Sequence, residues 1–281
     1  MQLGDVEVTQ VPEWEGDLAP VRVFLPDCPP ELWRDNADWL VPDFWTPATD
    51  GFHAVLRTWV LRSAGRVVLV DTGVGDDRDR PQFPLFSGLR TGFLERLAAA
   101  GVAPEDVDVV VNTHIHIDHV GWNTHRAGGA WVPTFPNATY LIPRIDQVYF
   151  QHRDSSANIY ADSIAPVLGQ AVLWEDGHRI DENLALEPAP GHTPGASLVR
   201  LASGADRAVF VGDLLHSPVQ IMRPRYSSCF DENPQQAAAT RRRVLERAAD
   251  ERELVVPAHF AGAGAAEVSR AGSDFAITRW A

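Results

Sequence analysis

The chain has 281 residues, 45% hydrophobic and 22% charged, with 24 basic against 38 acidic side chains and a net charge of −14. That composition is ordinary for a globular protein with a sizeable core, and its acidity argues against nucleic acid or anionic lipid as partner. Two cysteines, Cys28 and Cys229, are too few for a disulfide framework, so a reducing, cytoplasmic setting is expected. Residues 1–25 lack a basic stretch followed by an apolar one, and no apolar run approaches the ~18–20 residues of a membrane span. All basic side chains are arginine, which reads as codon bias; the run Arg241–Arg243 reads as a solvated helix face.

In chain order, residues from about 20 to 53 form a Trp- and Pro-rich segment, ordered but irregular, whose Trp33, Trp39 and Trp45 are candidates for a lid or a dimer arm. VLRTWVLR (55–62) alternates as a strand, and RVVLVDTG (66–73) is a buried strand ending in Asp71. TGFLERLAAAG (91–101) predicts a helix, with Thr91 as N-cap and Gly101 as its stop. VDVVVN (107–112) is a second buried strand, and NTHIHIDHVGWN follows at its carboxyl end, where α/β folds place their chemistry. NATYLI (137–142), LALEPAP (184–190), SLVRLA (197–202), RAVFVGD (207–213) and ELVVPAH (253–259) read as further strands. Residues 233–250 predict a helix capped by Asn233, with Pro234 in its first turn. No linker divides the chain, so residues 1–281 are expected to form a single domain.

Polar residues recur at strand ends: Asp71, His114 and His116, His192, Asp213 and His259. Side chains two apart on an extended stretch share a face, so His114, His116 and Asp118 can point to one centre and His119 to a second. A pair of metals ~3.5–4 Å apart needs imidazoles on either side and an acid between. His114, His116 and His192 suit one ion, Asp118, His119 and His259 the other, and Asp213 lies between them. Imidazole and carboxylate donors without thiolate favour zinc, with iron, manganese and cobalt open. Asp71 either caps a turn or orients a ligand from behind.

VDTG (70–73), HIHIDH (114–119), GHTPG (191–195), GD (212–213) and PAH (257–259), in this order, resemble the metallo-β-lactamase superfamily over roughly residues 50–260. The resemblance implies an α/β fold of the αββα sandwich type, with a dinuclear site at one edge of its two sheets and the same seven ligands. His at position 116 departs from the HxExDH of the di-iron members, and Asp213 departs from β-lactamases with cysteine there. GDLLHSPVQ (212–220) and WVPTFPNATYLIP (131–143) are similar to the branch of N-acyl-homoserine lactonases and methyl-parathion-type hydrolases.

The expected function is a metal-dependent hydrolase in which a metal-bridging hydroxide cleaves a small-molecule lactone, ester or phosphotriester with an apolar portion. Asp118 and His216 are the candidate catalytic residues, His216 as proton donor or as support for a ligand. Trp122, Phe83, Phe86 and Phe150 are candidate substrate contacts. A homodimer is left open. The alternatives are a thioesterase or cyclase acting on carrier-bound acyl chains, and a non-catalytic regulator that retains the fold.

Overall fold

The computed structural model describes all 281 residues. Ten strands come first along the chain: β1 (Gln2–Leu3), β2 (Val6–Pro20), β3 (Trp45–Thr46), β4 (Gly51–Ser63), β5 (Arg66–Val70), β6 (Val109–Val111), β7 (Thr124–Ala127), β8 (Ala130–Pro133), β9 (Thr139–Pro143) and β10 (Ala171–Trp174). One sheet has the order β1-β2-β4-β5-β6-β9-β10, with β3 on β4; β7 and β8 form a separate hairpin. β5, β6, β9 and β10 are mutually parallel, in the register Val68↔Val109↔Thr139 across the first three. The continuous Val, Leu and Ile runs of β5, β6 and β9 suit strands buried on both faces, and β10 closes the edge. The parallel register brings the carboxyl ends of β5 and β6, and with them Asp71 and the histidine-rich loop, to one end of the sheet.

Seven strands follow: β11 (His178–Arg179), β12 (Leu184–Pro188), β13 (Ser197–Ser203), β14 (Asp206–Gly212), β15 (Leu254–Pro257), β16 (Ala266–Ala271) and β17 (Asp274–Trp280), forming a second sheet in that order. Within it β14 and β15 run parallel, Phe210 opposite Val256, so Asp213 and His259 leave the same end. The helix Pro234–Glu251 connects them, as a parallel pair requires. Its Asn233 cap accepts the Gln236 N–H at 3.1 Å, as the sequence predicts.

The chain forms two compact units, Met1–Trp14 with Leu56–Leu186 and Glu15–Val55 with Glu187–Ala281. The first has a core around Phe93, Leu97, Val110, Ile115, Trp122, Phe135 and Tyr140. The second is built around Phe24, Trp33, Phe52, Val209, Val244 and Phe260. Each ring or branched chain removed from water contributes ~1.5–3 kcal/mol.

Three expectations change. Residues 20–53 carry short helices at Val21–Phe24, Pro30–Arg34 and Ala37–Leu40, and Trp33 and Trp45 are core side chains rather than a lid or arm. Thr91 does not cap the helix Phe93–Ala99: Gly92, in the left-handed region, takes that place, while Thr91 N–H donates to Asp76. Arg241 is fully buried, so the arginine run is not one solvated face. The 15-residue strand β2 has no counterpart among the elements expected from the sequence. No helix is long and apolar enough to cross a membrane.

Candidate metal centre

In the first unit the donors sit on the loop after β6. The loop turns at its second half, with His119 N–H donating to the His116 carbonyl at 3.1 Å, so the alternation that would align Asp118 with His114 and His116 ends there. His114 Nε2 and His116 Nδ1 lie 3.1 Å apart. The Thr113 hydroxyl contacts His114 Nδ1 at 3.0 Å. Asp71, at φ 58 in a region few residues other than glycine adopt, is held by its own N–H to Val111 and by Thr113, whose N–H and hydroxyl both donate to its carboxylate at 2.8 Å. The same carboxylate lies 2.9 Å from His119 Nδ1. A carboxylate takes the Nδ1–H bond and leaves Nε2 as the donor atom.

The loop after Asp71 is laced to the segment after His119. Thr72 N–H donates to His119 O, Trp122 N–H to Thr72 O, and Gly121 N–H to Gly73 O. A side chain at Gly121 would run into the Val74 carbonyl, so this approach requires glycine. Glu13, on β2 and missed by the sequence reading, clamps the lacing from beneath: its carboxylate accepts Val74 N–H (2.6 Å), Gly75 N–H (3.0 Å) and Trp122 Nε1–H (2.7 Å). Burial pushes its pKa up to about 7, against the pull of those hydrogen bonds.

In the second unit Asp213 has histidine on each side. Its Oδ1 lies 2.8 Å from His259 Nε2, and its Oδ2 lies 3.4 Å from His192 Nε2 and 3.1 Å from His216 Nε2. His259 Nδ1 faces the Val55 carbonyl at 3.2 Å, which can only accept, so Nδ1 carries the proton and Nε2 is the nitrogen turned to Asp213. His192 Nδ1 faces Asp231 at 2.9 Å. Burial opposes a charge on His192, but Asp213 and Asp231 outweigh it and hold its pKa at about 9. Burial likewise opposes ionisation of Asp231, and His192 and Arg241 overcome it, holding its pKa down at about 2. For His216, burial prevails over Asp213 and lowers the pKa. Gly191, at φ 139, packs so closely on the start of the helix Pro234–Glu251 that a side chain there would meet the Ala237 backbone.

The donors divide between the units, with His114, His116, Asp118 and His119 in the first and His192, Asp213 and His259 in the second. A tetrahedral ion with bonds of 2.0–2.1 Å spaces its ligand atoms about 3.3 Å apart. The separations of 3.1 Å for His114–His116, 3.4 Å for His192–Asp213 and 3.7 Å for His119–Asp118 bracket that edge. With imidazole and carboxylate as the only donors, the residues fit divalent metal.

Of the other sequence candidates, Phe150 lies edge-on to His116, ring centres 5.6 Å apart. Phe83 and Phe86 stack on each other at 4.8 Å, Phe86 also against Trp14. Trp122 is corrected: it is a core side chain stacked on Phe93 and tied to Glu13, because its indole N–H finds its partner beneath the loop. The sequence reading also missed Asp231 and Arg241, and the pair Phe24 and Phe230. Phe24 stands edge-on to His216 at 5.2 Å, and half-exposed Phe230 packs against it at 5.7 Å. The one available signal was an acid, Asp231, closely preceding a capped helix.

An N-acyl homoserine lactonase from Bacillus sp is 29% identical over 161 residues, covering 52% of this chain and 59% of the lactonase, so the chain spans little more than half of that curated relative. Among solved structures, a probable metal-dependent hydrolase from Staphylococcus aureus superposes with a TM-score of 0.83 at 18% identity, over 99% of this chain and 98% of that one. AidC, described as a dizinc quorum-quenching lactonase in complex with the product N-hexanoyl-L-homoserine, superposes with a TM-score of 0.80 at 20% identity, over 100% and 96%. At such identities the likeness shows the fold, which is the class expected from the motifs. The model of the metallo-β-lactamase superfamily matches residues 57–259, and the chain belongs to that superfamily.

Proposed function

We propose that the protein is a dinuclear metallohydrolase that cleaves a small-molecule lactone, ester or phosphotriester carrying an apolar portion. The observation that carries this is Asp213, whose two carboxylate oxygens are turned to His259 and His192, the histidines expected to serve different ions. The lactonase relatives and neighbours support the hydrolytic reading. Bound there, two divalent ions, zinc first among them, supply a Lewis acid for the carbonyl or phosphoryl oxygen and a water acidic enough to ionise near neutral pH.

The chain's residues set the rest. Asp118, less buried than Asp213 and 3.7 Å from His119 Nε2, is the carboxylate placed to accept a proton from the attacking water and pass it to the leaving oxygen. His216 Nε2–H donates to Asp213 Oδ2 and fixes that carboxylate, the supporting one of its two expected roles. Phe150 beside His116, and Phe24 with Phe230 beside His216, offer apolar surface for an acyl or aryl group.

Zinc-loaded protein assayed against acyl lactones, aryl esters, phosphotriesters, acyl thioesters and β-lactams tests the reading. Turnover of an apolar lactone, ester or phosphotriester, abolished by chelator and restored by zinc, is expected. Turnover of acyl thioesters alone would move the assignment to the thioesterase alternative, and none on any substrate would overturn it.

A further inference from the structure

We propose that Arg241, acting through Asp231, is a positioning residue that aims two loops of the metal centre at once. Arg241 lies mid-helix in Pro234–Glu251 and is fully buried, an unusual place for a guanidinium without a task. Its Nη2 donates to Asp231 Oδ2 at 3.2 Å, its Nε to the Leu214 carbonyl at 2.7 Å, and its Nη1 to the carbonyls of Pro224 and Tyr226 at 2.7 and 3.1 Å. Asp231 has no exposed side-chain surface, and its other oxygen faces His192 Nδ1 at 2.9 Å. Ser228 N–H completes the cage around it at 3.1 Å.

One guanidinium is therefore bonded to the residue that follows Asp213 and, through one carboxylate, to the ring of His192. The rigid fork of arginine can hold both directions together, whereas lysine, a point charge, cannot. Around this axis the helix grips the His192 loop directly: Thr240 hydroxyl donates to Pro190 O at 2.8 Å, and the N–H groups of Glu232 and Asn233 donate to the carbonyls of His192 and Gly191. Asp231 fixes Nδ1 as the protonated nitrogen of His192 and so presents Nε2 toward Asp213; Arg241 fixes Asp231. The inference rests on the metal-centre reading.

The test measures zinc affinity by chelator competition for wild type, Asp231→Ala, Asp231→Asn and Arg241→Lys, with thermal unfolding of the ion-free proteins recorded separately. Asp231→Ala should weaken zinc binding ~10–100-fold, as loss of a ligand's outer partner does. Asp231→Asn, which keeps an acceptor for Nδ1–H, should restore most of the affinity, and Arg241→Lys should fall between. In zinc-loaded wild type, nitrogen-15 NMR of histidine should show His192 with a slowly exchanging Nδ1–H. This measurement needs no variant to fold, and a His192 bare or freely exchanging at Nδ1 would overturn the proposal. So would Asp231→Ala binding zinc like wild type. Wild type that binds no zinc would instead defeat the metal-centre reading itself.

Discussion

Replacing Glu13 by Gln isolates a buried carboxyl whose ionisation is opposed by burial. The ordinary glutamate value is 4.5, and burial raises it to about 7 in the fold. Between those values the folded state holds a proton that the unfolded chain has released, so unfolding becomes easier as pH rises, and the full penalty is present above pH 7. At ~1.36 kcal/mol per pH unit, the interval from 4.5 to about 7 corresponds to roughly 3.4 kcal/mol, of which about 2.5 kcal/mol develops between pH 5 and pH 8. Urea unfolding of ion-free wild type and Glu13→Gln at both pH values gives the test. All other titrating groups are common to the two proteins, so the difference between them reports Glu13. Wild type should lose about 2.5 kcal/mol relative to the variant on going from pH 5 to pH 8. A difference constant within ~0.5 kcal/mol would show instead that the donors of Val74, Gly75 and Trp122 keep the carboxylate ionised throughout.

Asp213→Ala should lose ion from at least one donor group and reduce turnover by ~10²-fold or more, measured by elemental analysis and initial rates; a variant with wild-type metal content and rate would show that another residue links the groups. Phe230→Ala, at a half-exposed ring, should raise KM for an apolar acyl or aryl substrate more than for a small polar ester while leaving metal content unchanged; equal KM changes would place the apolar group elsewhere. Asn233→Ala should cost ~1 kcal/mol in thermal or urea unfolding by removing the bond to Gln236 N–H, and no loss would mean that the preceding loop already fixes the helix start.

The buried parallel strands were legible because Val67–Val70, Val109–Val111 and Leu254–Pro257 are short continuous apolar runs, with Asp71 and Asn112 directly after the first two and His259 two residues after the third. The candidate donors stand out for the same reason, since their positions follow from the strand ends. Their grouping was only partly legible: strand alternation fails at the turn that carries Asp118, and hydrogen bonding inside a six-residue loop leaves no periodic signal. β2 was hidden because its inward positions, Val6, Val8, Val11 and Glu13, change parity along the strand and end in a buried acid. Arg241 was misread because charge predicts exposure, and only the tertiary fold supplies the carbonyls and the carboxylate that let a guanidinium be buried. Trp122 was misplaced by sequence proximity to His119: the backbone between them turns its indole toward Phe93 and Glu13.

Zinc titration of chelator-treated protein, with bound ion and hydrolysis of an apolar lactone or aryl ester followed in the same samples, decides whether the chain is a dinuclear hydrolase. Without ion there should be no turnover, and activity should rise with occupancy to a plateau at about two equivalents per chain. Full hydrolysis by the ion-free protein, or a chain that takes up no divalent ion at all, would contradict that assignment.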